Sequence, residues 1–250
     1  MPDAINKFVE NRNIAQVRDI QRDIHALYRI DASQYDEEKK LVIRKVYDLI
    51  PSNMENKKKR IVVKKIEGKA GHKQFSDYAD EFEFLTNSGV ALAVPLIESE
   101  SKNLLKLYLS DVGLLTNLLY STNVNAVLRD VCSVNLGSVY ESMVAQELHA
   151  HGFALHYYDN KQRGEVDFLI DDYSSLTVLP IEVKSGKDYK VHSALDKFIS
   201  TPDYHISQAV VFSNEQKVFT NQNITYMPIY FVMFFKNEPS SNDECIIPDV

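Results

Sequence analysis

The 250-residue chain has two cysteines, Cys132 and Cys245, with no C-x-x-C pair and no histidine spaced to join them. Neither a disulfide framework nor a structural zinc site can organise such a chain, and a reducing cytosol is its expected home. No basic segment followed by an apolar run opens the sequence, and the longest apolar stretch, Ile224 to Phe235, is too short to cross a bilayer. Neither an export signal nor a membrane anchor is therefore expected. Positive charge is also in short supply: the formal net charge is -7 and the pI about 5.5. That is the wrong sign for a surface that clings everywhere to phosphate backbones, so any contact with DNA has to be local. The seven histidines form no H-x-x-x-H pattern, no Ser/His/Asp triad can be nominated and no internal repeat is found. The nucleotide-binding pattern G-x-x-x-x-G-K-[ST] is missing too, since Gly68-Lys69-Ala70-Gly71-His72-Lys73 and Ser185-Gly186-Lys187-Asp188 both depart from it. No ATP site is expected in this chain.

With 44% hydrophobic and 10% aromatic residues, the chain can bury one large core or two modest ones, and two are expected. Residues 4–30 place Ile5, Phe8, Val9, Ile14, Val17, Ile20, Ile24, Leu27 and Tyr28 at helical spacing, which predicts a helical arm in two pieces. A third helix is expected from Glu37 to Leu49, stopped by Ile50-Pro51 because the residue before proline avoids the α region. A basic cluster, Lys57-Lys58-Lys59-Arg60 and Lys64-Lys65, follows; it reads as a solvated face or as a patch for an acidic or phosphate partner. Residues 74–87 form an acidic helix closed by Ser88-Gly89, and two strands, Val90 to Ile97 and Leu104 to Leu109, flank the turn Glu98 to Asn103. Three helices followed by a hairpin is the order of a winged helix. Its last helix carries Asp77, Asp80, Glu81 and Glu83 where a DNA reader wants Arg, Lys, Asn or Gln, so this module reads as a protein-packing adaptor.

After a variable-looking stretch from Tyr120 to Val134, an amphipathic helix is expected over Ser138 to Ala150, carrying Glu141, Gln146 and Glu147. Strand-like Phe153 to Tyr158 leads into the feature that stands out: Glu165-Val166-Asp167-Phe168-Leu169-Ile170, a turn at Asp171 to Ser175, then Leu179-Pro180-Ile181-Glu182-Val183-Lys184. Side chains alternate along a strand, so Glu182 and Lys184 leave the hairpin on one side while Ile181 and Val183 leave on the other. Charges in an apolar hairpin need partners, and a solvated ion pair and a metal site both supply them. Mg²⁺ is held by one or two carboxylates, water and substrate phosphate, which is the chemistry Asp167 and Glu182 offer. Lys184 is placed to stabilise developing charge, and an acid from the preceding helix, Glu141 or its rival Glu147, would complete the set. Glu165 and Asp171 read as solvated neighbours, and His156 is not taken as a ligand. A helix at Ser193 to Ile199 and strands at Ser207 to Phe212 and Ile224 to Phe235 follow. The tail from Asn237 to Val250 is expected to be loose.

A glutamate on a first helix, an aspartate on one strand and Glu-Val-Lys on the next resemble the PD-(D/E)XK nuclease superfamily, which includes restriction enzymes and Holliday-junction resolvases. Four blocks are closer still to one family: Leu107 to Leu115, Ser138 to Leu148, Gly164 to Phe168 and Pro180 to Lys187. They resemble the C-terminal region of bacterial and archaeal predicted AAA+ ATPases. The resemblance implies an α/β (α+β) chain, with a helical arm over 1–34, a winged-helix-like domain over 35–120, a restriction-endonuclease-like mixed-sheet domain over 121–236 and a loose tail over 237–250. It implies catalytic Asp167, Glu182, Lys184 and Glu141, metal ligands Asp167 and Glu182, and Mg²⁺ as cofactor. DNA is the implied substrate and a Mg²⁺-dependent endodeoxyribonuclease the implied activity. The alternative is a non-catalytic module that docks on or regulates the ATPase or a protein partner. In that family a P-loop domain precedes a Gly-Met-Pro segment that Met1-Pro2-Asp3-Ala4 resembles. The expectation is therefore a fragment or a shortened gene product whose ATPase domain is absent.

Overall fold

The computed structural model describes residues 2–35, 39–56, 59–67, 74–97, 104–120, 124, 136–173 and 175–237. The protein is mixed α/β, with a two-stranded and a six-stranded sheet. It divides into two compact units, Met1–Gln146 and Glu147–Val250, the division falling inside the helix Gly137–Ala150.

In the first unit α1 (Pro2–Asn11) and α2 (Ile14–Tyr35) are the two-piece arm that the apolar spacing predicts. The break between them is chemical. Arg12 turns left-handed with φ 54°, and the Asn13 side chain accepts from the amides of Ala15 and Gln16 at 3.0 and 3.3 Å, capping α2. Helix α3 (Lys40–Met54) buries Ile43, Val46, Tyr47, Ile50 and Met54, one stripe at helical spacing. The expected stop at Ile50-Pro51 is not taken, and α3 continues through Pro51. Proline there removes the amide that would bond the Tyr47 carbonyl, but it sits in the final turn, and burial of Ile50, Pro51 and Met54 offsets that loss.

After α4 (Val63–Glu67), the acidic segment begins as a 3₁₀ turn, Phe75–Tyr78, before becoming α5 (Ala79–Asn87). The Asp77 carboxylate accepts from the Gln74 amide at 2.7 Å and fixes that tight start. Strands β1 (Ala91–Pro95) and β2 (Leu105–Leu109) pair antiparallel from Ala91↔Leu109 to Pro95↔Leu105, the expected hairpin. Helix α6 (Val112–Leu119) follows; its N-cap is Asp111, whose Oδ1 accepts from the Leu114 amide at 3.0 Å. Helix α7 (Gly137–Ala150) ends this unit. Buried His25 ties three helices together. Tyr47 donates its hydroxyl proton to Nδ1, and Nε2–H donates to the Leu114 carbonyl at 3.1 Å.

The second unit is a sheet in the order β3-β4-β5-β6-β8-β7. Its strands are β3 (His156–Asn160), β4 (Gly164–Asp172), β5 (Thr177–Val183), β6 (Ala209–Ser213), β7 (Phe219–Asn221) and β8 (Ile224–Pro228), and α8 (Ser193–Ile199) packs on β4. The first three strands pair antiparallel, β5-β6 and β6-β8 pair parallel, and β7 closes the edge antiparallel to β8. All five residues of β6 are buried, as suits the apolar run Ala-Val-Val-Phe of a strand between parallel neighbours.

Three expectations change here. The β4-β5 ladder runs further than the sequence suggested, with Asp171↔Val178 and Asp172↔Thr177 paired, so the turn contracts to 173–176. The expected strand from Ile224 to Phe235 stops at Pro228, and Ile229–Phe234 curls into a 3₁₀ turn that exposes Tyr230, Met233 and Phe234. Strand β7 was not anticipated. One glycine is required where α8 meets the sheet. Gly164 has φ +98°, and a Cβ there would stand 2.8 Å from the Ala194 methyl. The loose tail expected after Asn237, the Glu98–Asn103 turn, the Gly68–Lys73 segment and most of the Tyr120–Val134 stretch lie outside the described residues.

Candidate functional site

Three of the four nominated side chains come together at one end of the β4-β5 hairpin. Phe168 pairs with Ile181. Asp167 and Glu182 flank that pair, so they leave the sheet on the same face, opposite to fully buried Phe168 and Ile181. The Val183 amide donates to Asp167 Oδ2 at 2.8 Å, across the two strands and between Glu182 and Lys184 in sequence. Lys184 Nζ donates to Glu182 Oε1 at 2.6 Å. The Lys184 backbone is fixed as well, because its amide donates to the Phe212 carbonyl at 2.8 Å, one step beyond Val183↔Phe212 on the parallel strand β6. Glu182 is 5% exposed, whereas the Lys184 side chain is 29% exposed. A buried carboxylate and a half-wet ammonium at the end of β5 therefore lie beside a carboxylate of β4 anchored by a backbone amide.

The donor set suits a hard cation. Both ligating candidates are carboxylates, and Mg²⁺ takes one or two of these with water and phosphate oxygens in its remaining positions. Among the described residues no three of His, Cys, Asp and Glu gather as a cage, and a cation held by Asp167 and Glu182 alone would need water in its other positions. Asp171 is exposed and lies opposite Val178, and half-buried Glu165 lies opposite Asp159. His156 sits on β3 opposite Leu169.

Glu141, the fourth nominee, has a different set of partners, all within the first unit. Lys106 donates to its Oε1 at 3.2 Å, Tyr108 donates to the same oxygen at 2.6 Å, and Lys59 pairs with Oε2. Burial alone pushes this carboxyl up, but Lys106, Lys59 and the hydrogen bonds from Lys59 and Tyr108 outweigh it and bring the pKa down to about 2. Lys106 and Tyr108 are two residues apart on β2 and so share its face, and both are buried. Of the basic cluster, Lys59 serves this network and Lys65 Nζ lies 3.3 Å from Asn53 Oδ1, while Lys57 and Lys58 fall outside the described residues. Gln146 Oε1 accepts from the Val112 amide at 2.8 Å, a second support for the start of α6. Glu147, in the second unit, lies 4.0 Å from His151 one helical turn away. The sequence did carry a signal for the Lys106–Glu141 pair: Lys106 interrupts the apolar run Leu104-Leu105-Lys106-Leu107, the same anomaly that marked Glu182 and Lys184.

Residues 1–125, half of the chain, match a family described as a domain of unknown function, DUF8612. The chain belongs to that family. Residues 136–232, which contain the Asp167–Glu182–Lys184 cluster, match a second domain of unknown function, DUF4143. No curated protein and no solved structure matches the chain.

Proposed function

We propose that the Glu147–Val250 unit is a PD-(D/E)XK-type nuclease centre that hydrolyses DNA phosphodiesters with Mg²⁺. The observation that supports it most is the convergence of Asp167, within β4, with Glu182 and Lys184, at the C-terminal end of β5, with the Val183 amide holding Asp167 in place. When bound, Mg²⁺ would activate water and offset charge on the phosphate oxygens. The chain's own part is positional. The Val183 amide fixes Asp167; Glu182 supplies a carboxylate in a nearly dry setting; Lys184 would offer a cation to the charge that develops on a phosphate. Glu141 braces α7 through Lys59, Lys106 and Tyr108. Incubation of the purified chain with supercoiled and branched DNA in Mg²⁺ or Mn²⁺ tests the reading. The wild type is expected to cut and Glu182→Ala to leave the DNA intact. A wild type that cuts nothing across that panel overturns it.

A second reading has its own observation. Residues 147–250 hold eight Lys and Arg against fifteen Asp and Glu, so this unit carries the whole net charge of -7, which opposes a phosphate backbone. The resemblance of residues 107–115, 138–148, 164–168 and 180–187 to the C-terminal region of predicted AAA+ ATPases makes an ATPase the partner to test. The helices and hairpin of the first unit, read as a winged helix, put Asp80, buried Glu81 and Glu83 on α5, where a DNA reader needs donors. A non-catalytic module that docks on an ATPase fits these charges. It predicts a stable complex with an AAA+ ATPase that Glu182→Ala leaves unchanged, and failure of the two to associate removes it.

A further inference from the structure

The Lys and Arg side chains of the second unit are confined to one end of its sheet. Strands β3, β5, β6 and β8 point the same way, because β4 is antiparallel to both β3 and β5 while β6 and β8 continue parallel to β5. The β3-β4 turn, the stretch that leaves β5 and the β6-β7 connection therefore meet at one end, the end where Glu182 and Lys184 lie. Residues 161–163, 184–190 and 214–218 make up these segments, and they carry Lys161, Arg163, Lys184, Lys187, Lys190 and Lys217 against two acids, Asp188 and Glu215. The connections at the opposite end, 173–176, 200–208 and 222–223, carry no Lys or Arg. Lys197 of α8 joins the first group, its Nζ 3.5 Å from the Gln162 carbonyl in the β3-β4 turn. A unit with a charge of -7 thus gathers a cationic rim at the end that holds its candidate site.

Acids outnumber cations in this unit, so pairing would be easy, yet among the described residues none of Lys161, Arg163, Lys187, Lys190, Lys197 and Lys217 forms an ion pair. Arg163 rests instead on the Tyr204 ring, 5.6 Å from its centroid, and Lys190 Nζ lies 5.4 Å from that of Phe219. The β3-β4 turn is held by Asn160, whose Oδ1 accepts from the amides of Gln162 and Arg163 at 2.9 and 3.2 Å. We propose that this end of the sheet is a docking face for the phosphates of duplex DNA, with Lys161, Arg163 and Lys197 gripping beyond β4 and Lys190 and Lys217 beyond β5. This rests on the nuclease reading above and supplies the local grip that the overall charge of the unit denies it. Six strands about 4.8 Å apart span about 24 Å, which matches the rise of roughly seven nucleotides along a duplex. Contacts to phosphate fix position and carry no base preference, so binding is expected to be independent of sequence.

Fluorescence anisotropy of a labelled duplex, titrated with the full chain between about 50 and 200 mM salt and without divalent metal so that nothing is cut, tests the face. The wild type is expected to bind two unrelated sequences equally, with log affinity falling steeply against log salt. Lys161→Gln/Lys187→Gln and Lys190→Gln/Lys217→Gln, all at exposed positions, are each expected to weaken binding at least about fivefold and to flatten that slope by about two. Arg44→Gln/Lys45→Gln removes the same charge from exposed positions of the first unit and is expected to leave both unchanged. A wild type that binds no duplex, a rim double variant that binds as the wild type does, or a control pair that loses as much as the rim pairs overturns the docking face. Cleavage is read separately in Mg²⁺. A protein that binds through the rim yet cuts nothing keeps the face and loses the nuclease reading, whereas one that cuts while the rim variants bind unchanged loses the face and keeps that reading.

Discussion

Replacing Glu141 by glutamine isolates the electrostatics of the first unit, because the two side chains have nearly the same shape and no cavity is made. Glutamine keeps an oxygen for Tyr108 and Lys106 but removes the charge that both lysines face. The Lys106 side chain is 1% exposed, so its ammonium would be left buried beside a neutral amide, whereas Lys59, 22% exposed, can turn to water. Breaking a buried pair from one side costs about 3–5 kcal/mol, and nearly all of it should come from Lys106. Guanidinium unfolding of the purified chain, followed by circular dichroism, reads that loss as a lower midpoint at unchanged slope. Adding Lys106→Met removes the charge that Glu141 faced, so the double variant is expected to recover most of the stability, a non-additivity on the order of 2 kcal/mol or more. The effect also has a pH signature. The folded pKa is depressed, so the stabilisation is complete above the unfolded value of about 4.3 and is lost as the pH falls from there through the folded value of about 2. The gap between wild type and Glu141→Gln must therefore shrink across that window. A Glu141→Gln loss below about 1 kcal/mol at pH 7, or a gap that does not narrow in acid, would refute the account of a buried carboxylate held by two lysines.

Other expectations are simpler to check. Gly164→Ala should cost about 2–3 kcal/mol, from the left-handed φ together with the contact on Ala194, and Ala194→Gly in the same chain should return the steric part; urea unfolding of the single and double variants separates the two. Asp111→Ala removes the cap of α6 and is expected to lower stability by about 1 kcal/mol, with Asp111→Asn close to neutral. Burial lowers the His25 pKa despite its bond to the Leu114 carbonyl, so the unfolded chain takes up that proton first and stability should decline as the pH drops below about 6.5. His25→Gln should flatten that part of the pH profile; an unchanged slope would place the titration on another group.

Much was legible from pattern alone, for reasons that can be named. The two-piece arm, the β1-β2 hairpin, α8 and the charged β4-β5 hairpin follow from a local rule, apolar spacing at 3.6 or 2 residues. Where expectations changed, a non-local term had outweighed a local one. The helix passes Pro51 because the core on its far side rewards burial of Ile50 and Met54, and the strand ends at Pro228 rather than Phe235 because the ladder with β6 ends at Ser213↔Pro228. The site divides in the same way. By itself the sequence determined that Glu182 and Lys184 share a face and that Asp167 belongs to the neighbouring strand, because alternation along a strand is fixed by backbone geometry. Only the tertiary structure decided that the Val183 amide holds Asp167, that Lys184 rests on Glu182, and that Glu141 serves Lys59, Lys106 and Tyr108. Apart from Lys184, two residues from Glu182, those partners come from residues 16 to 82 positions apart, and no local rule specifies which charge meets which once the chain has folded.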